Sequence, residues 1–166
     1  MSYAIVYSSR TGNTKLLADT VRETLPREAC LYFGPPSPEA LRADRIYVGF
    51  WTDKGTCDGD TAAFLKEITT QELYLFGTAG FGEDEAYFSK VLDRTAKHLG
   101  KSVRPVGRFM CQGKMPMTVR QRYEKMLRSP IHMPNLEGMI ANFDRALSHP
   151  DARDLAALRA DLLREA

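Results

Sequence analysis

Cysteine, histidine and tryptophan are all scarce in this sequence, and the scarcity removes several classes of function. The three cysteines, Cys30, Cys57 and Cys111, form no CxxC and cannot all pair. A disulfide scaffold is therefore excluded, and thiols in a reducing compartment are expected. His98, His132 and His149 fall at no metal-ligand spacing, and none is close in sequence to Cys57 or Cys111. Neither a zinc site nor a Cys–His nucleophile is expected. No apolar run approaches the roughly 20 residues that span a bilayer. The N-terminus leads directly into an apolar strand, without the basic and apolar segments of a secretory leader, so a cytoplasmic location is expected. Neither sign of charge dominates: 23 Lys and Arg meet 21 Asp and Glu, a net charge of +2, which speaks neither for nor against nucleic acid.

Several nucleotide motifs are absent as well. Gly100-Lys101-Ser102 imitates the end of a P-loop, but the glycine required at position 95 is Thr95, and the segment follows a helix. Of a GxGxxG fingerprint, only Gly12 follows the first strand, which excludes that kind of dinucleotide site.

What is present is an ordinary globular composition, 43% hydrophobic over 166 residues. One domain of that size buries about two thirds of its unfolded surface. Apolar runs at Tyr3–Tyr7, Ala29–Phe33, Arg45–Trp51, Leu73–Phe76 and Val103–Cys111 read as strands. Between or after them, stripes at helical spacing recur: Leu17, Val21 and Leu25; Phe64, Leu65 and Ile68; Phe88, Val91, Leu92, Thr95 and Leu99. A further stripe, Leu136, Met139, Ile140, Phe143 and Leu147, predicts the last core-facing helix. The alternation implies an α/β fold, a parallel sheet wrapped by helices on both faces. Leu73–Phe76 suits a central strand, and Pro105 suits an edge. The domain is expected to span residues 1–147, with 112–135 inserted after the fifth strand and a short helix there bearing Val119, Tyr123, Met126 and Leu127. Residues 148–166 form a helical extension with the stripe Leu155, Leu158 and Leu162, which either packs on the domain or meets a partner.

Residues 5–21 are the most informative. The first strand runs into a loop that offers backbone N–H groups and the hydroxyls of Ser9, Thr11 and Thr14 at the positive end of a helix, which suits a phosphate. Gly12 permits close approach and Asn13 tolerates tight curvature. In type and spacing, Tyr7, Ser9, Gly12, Thr14, Ala18 and Val21 resemble the signature of the flavodoxins, which hold FMN by its phosphate at this loop. The resemblance covers most of residues 3–147. It implies a flavodoxin-like three-layer α/β/α sandwich whose five-stranded parallel sheet has the order 2-1-3-4-5. Ligands then lie beyond the carboxyl ends of the strands, where the order reverses, at loops 8–14, 50–60 and 77–87. A receiver domain shares this order but needs acids after strands 1 and 3, where the chain has Tyr7-Ser8-Ser9 and Gly49-Phe50.

The resemblance assigns cofactor-binding residues in each loop. Ser9, Thr11, Gly12, Asn13 and Thr14 would grip the phosphate. Arg10 departs from the family, which generally uses no cation there; it either caps the phosphate or points to solvent. In the third loop, Thr78, Ala79, Gly80, Phe81 and Gly82 would follow the edge of the flavin. Phe81 stands where the family stacks an aromatic on the ring, or it tucks under the next helix. In the middle loop, Trp51, Thr52, Asp53, Lys54 and Gly55 would line the ring, Trp51 either touching it or capping the sheet. The Lys54-Gly55 peptide is expected to reorient on reduction so that its carbonyl meets the flavin N5. Gln112 either reaches the ribityl chain or phosphate, or faces water. Glu83, Asp84 and Glu85 bring negative charge that opposes Arg10 and Lys54.

The resemblance thus implies an FMN protein that passes single electrons between redox partner proteins, a reductase and an electron acceptor, as a monomer or weak homodimer. Lys114, Arg120, Arg122, Lys125 and Arg128 lie within 15 residues that hold one acid, Glu124. Interleaved stacking aromatics are missing there beyond Tyr123, so a solvated or partner-facing helix is expected rather than a nucleic-acid site. Flavodoxins are mostly acidic, and this chain is not. The competing reading is a flavodoxin-like oxidoreductase acting on a quinone, porphyrinogen or similar small acceptor. A third is a protein of this shape that has lost FMN and only binds a partner.

Overall fold

The computed structural model describes every residue except Glu83. In chain order the strands are β1 (Tyr3–Tyr7), β2 (Cys30–Gly34), β3 (Arg45–Asp53), β4 (Thr56–Cys57), β5 (Glu72–Ala79) and β6 (Pro105–Gln112). The helices are α1 (Asn13–Thr24), α2 (Gly59–Leu65), α3 (Glu85–Ala96), α4 (Met117–Leu127), α5 (Leu136–Ala146) and α6 (Ala152–Glu165). Five strands pair in parallel in the order β2-β1-β3-β5-β6. That is the expected order, with the two-residue β4 added as an antiparallel partner of β3. No helix among the described residues is long and apolar enough to cross a membrane.

Alternation along the strands feeds two cores. Ala4, Val6, Ile46, Val48, Phe50, Leu73 and Leu75 face one side, where Phe64 and Leu65 of α2 and Val91 and Leu92 of α3 cover them. Tyr3, Ile5, Tyr47, Tyr74 and Phe76 face the other, under Leu17, Ala18 and Val21 of α1 and Leu158 and Leu162 of α6. Where β3 meets β5, Gly49 pairs with Phe76 and Phe50 with Gly77. Each missing side chain leaves room for the neighbouring ring, so two bulky rings pack on opposite faces at the ligand end of the sheet.

The last two helices exchange the roles that periodicity assigned them. Leu136, Phe143 and Ala146 of α5 are buried, but outside both sandwich cores, and α5 packs on α4. Leu147, expected inside, is 47% exposed. The cover over the second face is α6, which packs on α1 and β6. Burying Leu158 and Leu162 contributes about 1.5–3 kcal/mol each. The Tyr74 hydroxyl donates to Asp161, and Arg45 Nη1 donates to the Glu165 carbonyl at 2.8 Å, fixing the end of α6 to the sheet. Periodicity reports that a helix face is buried; it does not report against what.

Element lengths also differ from expectation. β5 runs on through Gly77, Thr78 and Ala79, so the third loop opens at Gly80. The middle loop contains a hairpin: Thr52 pairs with Cys57 and Asp53 with Thr56 across the two-residue turn Lys54-Gly55. Both turn residues have positive φ, 53° and 85°, which suits the twist of a tight hairpin.

Candidate functional site

The first loop enters α1 through Gly12, held at φ 89° in the left-handed region where glycine is unstrained. Lys15 N–H donates to Ser9 Oγ at 3.2 Å, and Leu16 N–H donates to the Gly12 carbonyl at 3.0 Å. Among the described residues, the amides of Thr11, Gly12, Asn13 and Thr14 meet no protein acceptor. These donors cluster at the positive end of a 12-residue helix with no acid in its first turn. One expected hydroxyl is turned away. Thr14 Oγ1 is buried, 3.1 Å from both the Phe50 carbonyl and Thr78 Oγ1, so it ties the loop to β3 and β5.

Beside these amides lies a cleft of about 170 Å³. Arg10, Thr11 and Asn13 line one part of it, and Trp51, Thr52, Thr78, Ala79 and Gly80 another. Arg10 is exposed, yet it rests on a ring of the cleft wall. Its guanidinium carbon sits 5.5 Å from the centre of the Trp51 ring, a cation–π distance. Thr52 Oγ1 donates to the Thr78 carbonyl at 2.8 Å, joining the middle and third loops.

The remaining lining was not anticipated. Gly113, Lys114, Met115, Pro116 and Val119 close the cleft from the segment that follows β6. This strap is held by Gly113 N–H to the Ala79 carbonyl at 2.9 Å, and by Lys114 N–H to the His149 carbonyl at 2.9 Å. A third bond runs from Asn13 Nδ2 to the Lys114 carbonyl at 2.8 Å. Gly80 and Gly113 allow the close fit. A Cβ on Gly80 would fall 2.5 Å from Met115 Sδ, and one on Gly113 would fall 2.5 Å from Asn13 Nδ2. A glycine directly after β6 was the available signal, but no local pattern names its distant neighbour.

Gln112 belongs to the wall behind the cleft. It is buried, and its Nε2 donates to the Gly80 carbonyl and to Asn142 Oδ1, both at 3.0 Å. Asn142 Nδ2 donates to the same Gly80 carbonyl at 3.0 Å. With that carbonyl drawn inward, the trans peptide directs the Phe81 N–H the opposite way. Asn142, on α5, was not among the expected residues.

Nine expected residues are not in the lining of this cleft: Ser9, Gly12, Thr14 and Gln112, and also Phe81, Gly82, Asp53, Lys54 and Gly55. Phe81 stands 41% exposed at its loop tip, followed by Gly82 at φ 110°. Glu83, expected to bring charge near the ring, lies outside the described residues. The carbonyl of the Lys54-Gly55 peptide, expected to meet the flavin N5, is that of Lys54; the next carbonyl, that of Gly55, accepts from Arg94 Nη1 at 3.3 Å. β4 packs on α3, and the Cys57 N–H donates to Thr95 Oγ1 at 3.1 Å, which holds the hairpin against that helix.

Among the described residues, the lining contains two cations, Arg10 and Lys114, and no carboxylate. A shallower cavity of about 390 Å³ shares Thr11, Asn13 and Lys114 and adds Lys15 and Asp19, which pair at 2.8 Å. This combination of unmet amides and cations suits an anion, and Trp51, Met115 and Val119 supply apolar surface beside it. The cysteines do not compete for a role. Burial pushes the Cys57 and Cys111 thiols up, away from the reactive thiolate. His149, Asp151 and Asp154 lie together because the two acids form the capping box of α6, with His149 Nδ1 2.6 Å from Asp154.

With this geometry in place, comparison with known proteins is informative. The flavodoxin domain model matches residues 4–162. A flavodoxin-like domain-containing protein, BilS, from Clostridium symbiosum is 43% identical, covering 98% of this chain and 95% of that one. A flavodoxin from Streptococcus pneumoniae TIGR4 superimposes with a TM-score of 0.53 at 16% identity, over the full length of both chains. A Lactobacillus acidophilus flavoprotein solved in complex with FMN gives 0.51 at 12% identity, covering 66% of this chain and 92% of that one. The chain is a member of the flavodoxin family.

Proposed function

We propose that this protein holds FMN non-covalently in the cleft and carries electrons one at a time between a reductase and an electron acceptor. The observation that supports it most is the set of unmet amides at Thr11–Thr14, opening on a cleft that holds no acid among the described residues and is flanked by Arg10 and Lys114. In this reading the amides and the Thr11 hydroxyl bind the phosphate, and Arg10 neutralises it while resting on Trp51. Trp51, Met115 and Val119 give apolar cover to the ring, and the Gly80-Phe81 peptide offers it a donor. Bound FMN supplies the redox chemistry; the protein supplies grip, orientation and shielding. The FMN complex of a Lactobacillus acidophilus flavoprotein of similar fold agrees with this choice of flavin. The strap that narrows the cleft favours a carrier over an oxidoreductase, which needs room for a substrate above the flavin.

Titration with FMN and with riboflavin tests the reading. FMN should bind at least about 100-fold more tightly, the worth of two charge-assisted hydrogen bonds at about 1.5 kcal/mol each. Equal affinity, or no uptake of either, overturns it. An equilibrium reductive titration should resolve two separate one-electron steps. Rapid turnover of a quinone driven by a nicotinamide cofactor would instead establish the oxidoreductase.

A further inference from the structure

We propose that the outward face of the α4–α5 hairpin is the docking surface for an acidic redox protein, a statement that rests on the carrier reading for the partner's redox character. The hairpin stands outside both sandwich cores, yet Val119 of α4 lines the cleft, so a partner seated here lies beside the cofactor site. Its charge is lopsided once internal pairs are removed. Between residues 113 and 144 there are five cations and three acids. Arg120 bonds both Glu124 and Asp144, which leaves Lys114, Arg122, Lys125 and Arg128 against the single acid Glu137. Those four cations are exposed and form no ion pair among the described residues.

Apolar side chains stand among them. Met117 is 55% exposed, Ile131 89% and Met133 49%, although the same hairpin buries Tyr123 and Leu136. Large apolar groups left in water beside unpaired cations form the centre and rim of an interface whose complement carries carboxylates. A membrane surface or nucleic acid would also attract the charge. The exposed apolar groups are flexible methionines and an isoleucine rather than stacking aromatics, which favours a protein surface.

The test is an NMR titration of the ¹⁵N-labelled full chain with an acidic [2Fe–2S] ferredoxin, and separately with a basic c-type cytochrome. Shifts are expected with the ferredoxin at the amides of Arg122, Lys125, Arg128 and Ile131. They should vanish at about 1 M salt, where the screening length is about 3 Å. The triple neutralisation Arg122→Gln, Lys125→Gln and Arg128→Gln should weaken binding about tenfold, and Ile131→Ser with Met133→Ser should weaken it at unchanged salt dependence. All five positions are exposed, so the fold is retained. Shifts centred elsewhere, equal response to the cytochrome, or no response to the ferredoxin overturn the proposal. Because the readout needs no flavin, a protein that refuses FMN defeats the carrier reading while the titration still decides where and what charge it docks.

Discussion

One wall of the cleft, Thr11–Thr14 with the ends of β3 and β5, grows out of consecutive strand-to-helix connections in the sandwich. The other wall, Gly113–Val119, is hung from it by two hydrogen bonds, to Ala79 and Asn13, and from His149 by a third. The first wall is held by the sheet's own ladder and by the buried Thr14–Thr78 contact. The second continues into a helical hairpin with its own small apolar centre. The unmet amides of Thr11–Thr14 therefore sit on the part of the molecule supported by the sheet, and the rest of the cleft is closed by a separately supported strap.

The largest effect that separates the walls comes from two core truncations. Leu158→Ala removes a fully buried side chain from the second sandwich core and should lower global stability by about 2–5 kcal/mol. Phe143→Ala removes a fully buried ring of the hairpin at a similar local cost. Its prediction differs: amide exchange should become fast in α4, α5 and the strap while the β1, β3 and β5 amides keep their protection. If Phe143→Ala lowers sheet protection as much as Leu158→Ala does, the hairpin is part of the same cooperative unit and the comparison fails.

A smaller effect isolates the strap. Asn13→Ala deletes the bond to the Lys114 carbonyl without touching the amides that open α1. At about 1 kcal/mol for one such bond, exchange at the Gly113 and Lys114 amides should rise roughly fivefold. Gly113→Ala reaches the same bond from the other side, by driving a methyl group into the Asn13 amide. Unchanged exchange in both variants would mean that the strap is held by its packing and not by Asn13.

The same division explains what could be read in the sequence. Gly12 and the Ser/Thr/Asn run point to an anion loop because consecutive amides at a helix start suit an anion locally, so the signal is contiguous. The sheet order was legible for a similar reason, since strand–helix alternation admits few topologies. Side-chain direction was not: Thr14 turns inward because Phe50 and Thr78 are placed by β3 and β5, and Gln112 turns inward toward Gly80 and Asn142. The hairpin at Lys54-Gly55 had half a signal, a glycine at the second turn position, but lysine at the first is an unusual choice for positive φ. The stripes of α5 and α6 look alike, and only contacts far apart in sequence decide that α6 covers α1 while α5 covers α4.

Acid should sharpen the contrast with the smallest expected effect. The Asp144 carboxylate accepts Arg120 Nε at 2.9 Å and Nη2 at 3.1 Å, which clasps α5 to α4. That hydrogen bonding holds Asp144 below its ordinary value of 3.8, outweighing the opposing desolvation, and the guanidinium charge adds to it. A carboxylate whose value is lower folded than unfolded stabilises the fold fully above the unfolded value, and that contribution is lost as pH falls through the folded one. Asp151 is held low as well, chiefly by the Asp154 N–H at the cap of α6. Both clasps therefore weaken in the same acid range, but α6 retains Leu158 and Leu162 in the sandwich core, whereas the hairpin has only its small centre. A ¹³C carboxyl titration should place Asp144 below 3.8, and Arg120→Gln should move it back toward that value. As pH falls below 3.8, amide exchange should rise in α5 before α6, and Arg120→Gln should flatten that acid response in α5 alone. Simultaneous opening of the two helices would show that one cooperative unit spans both walls.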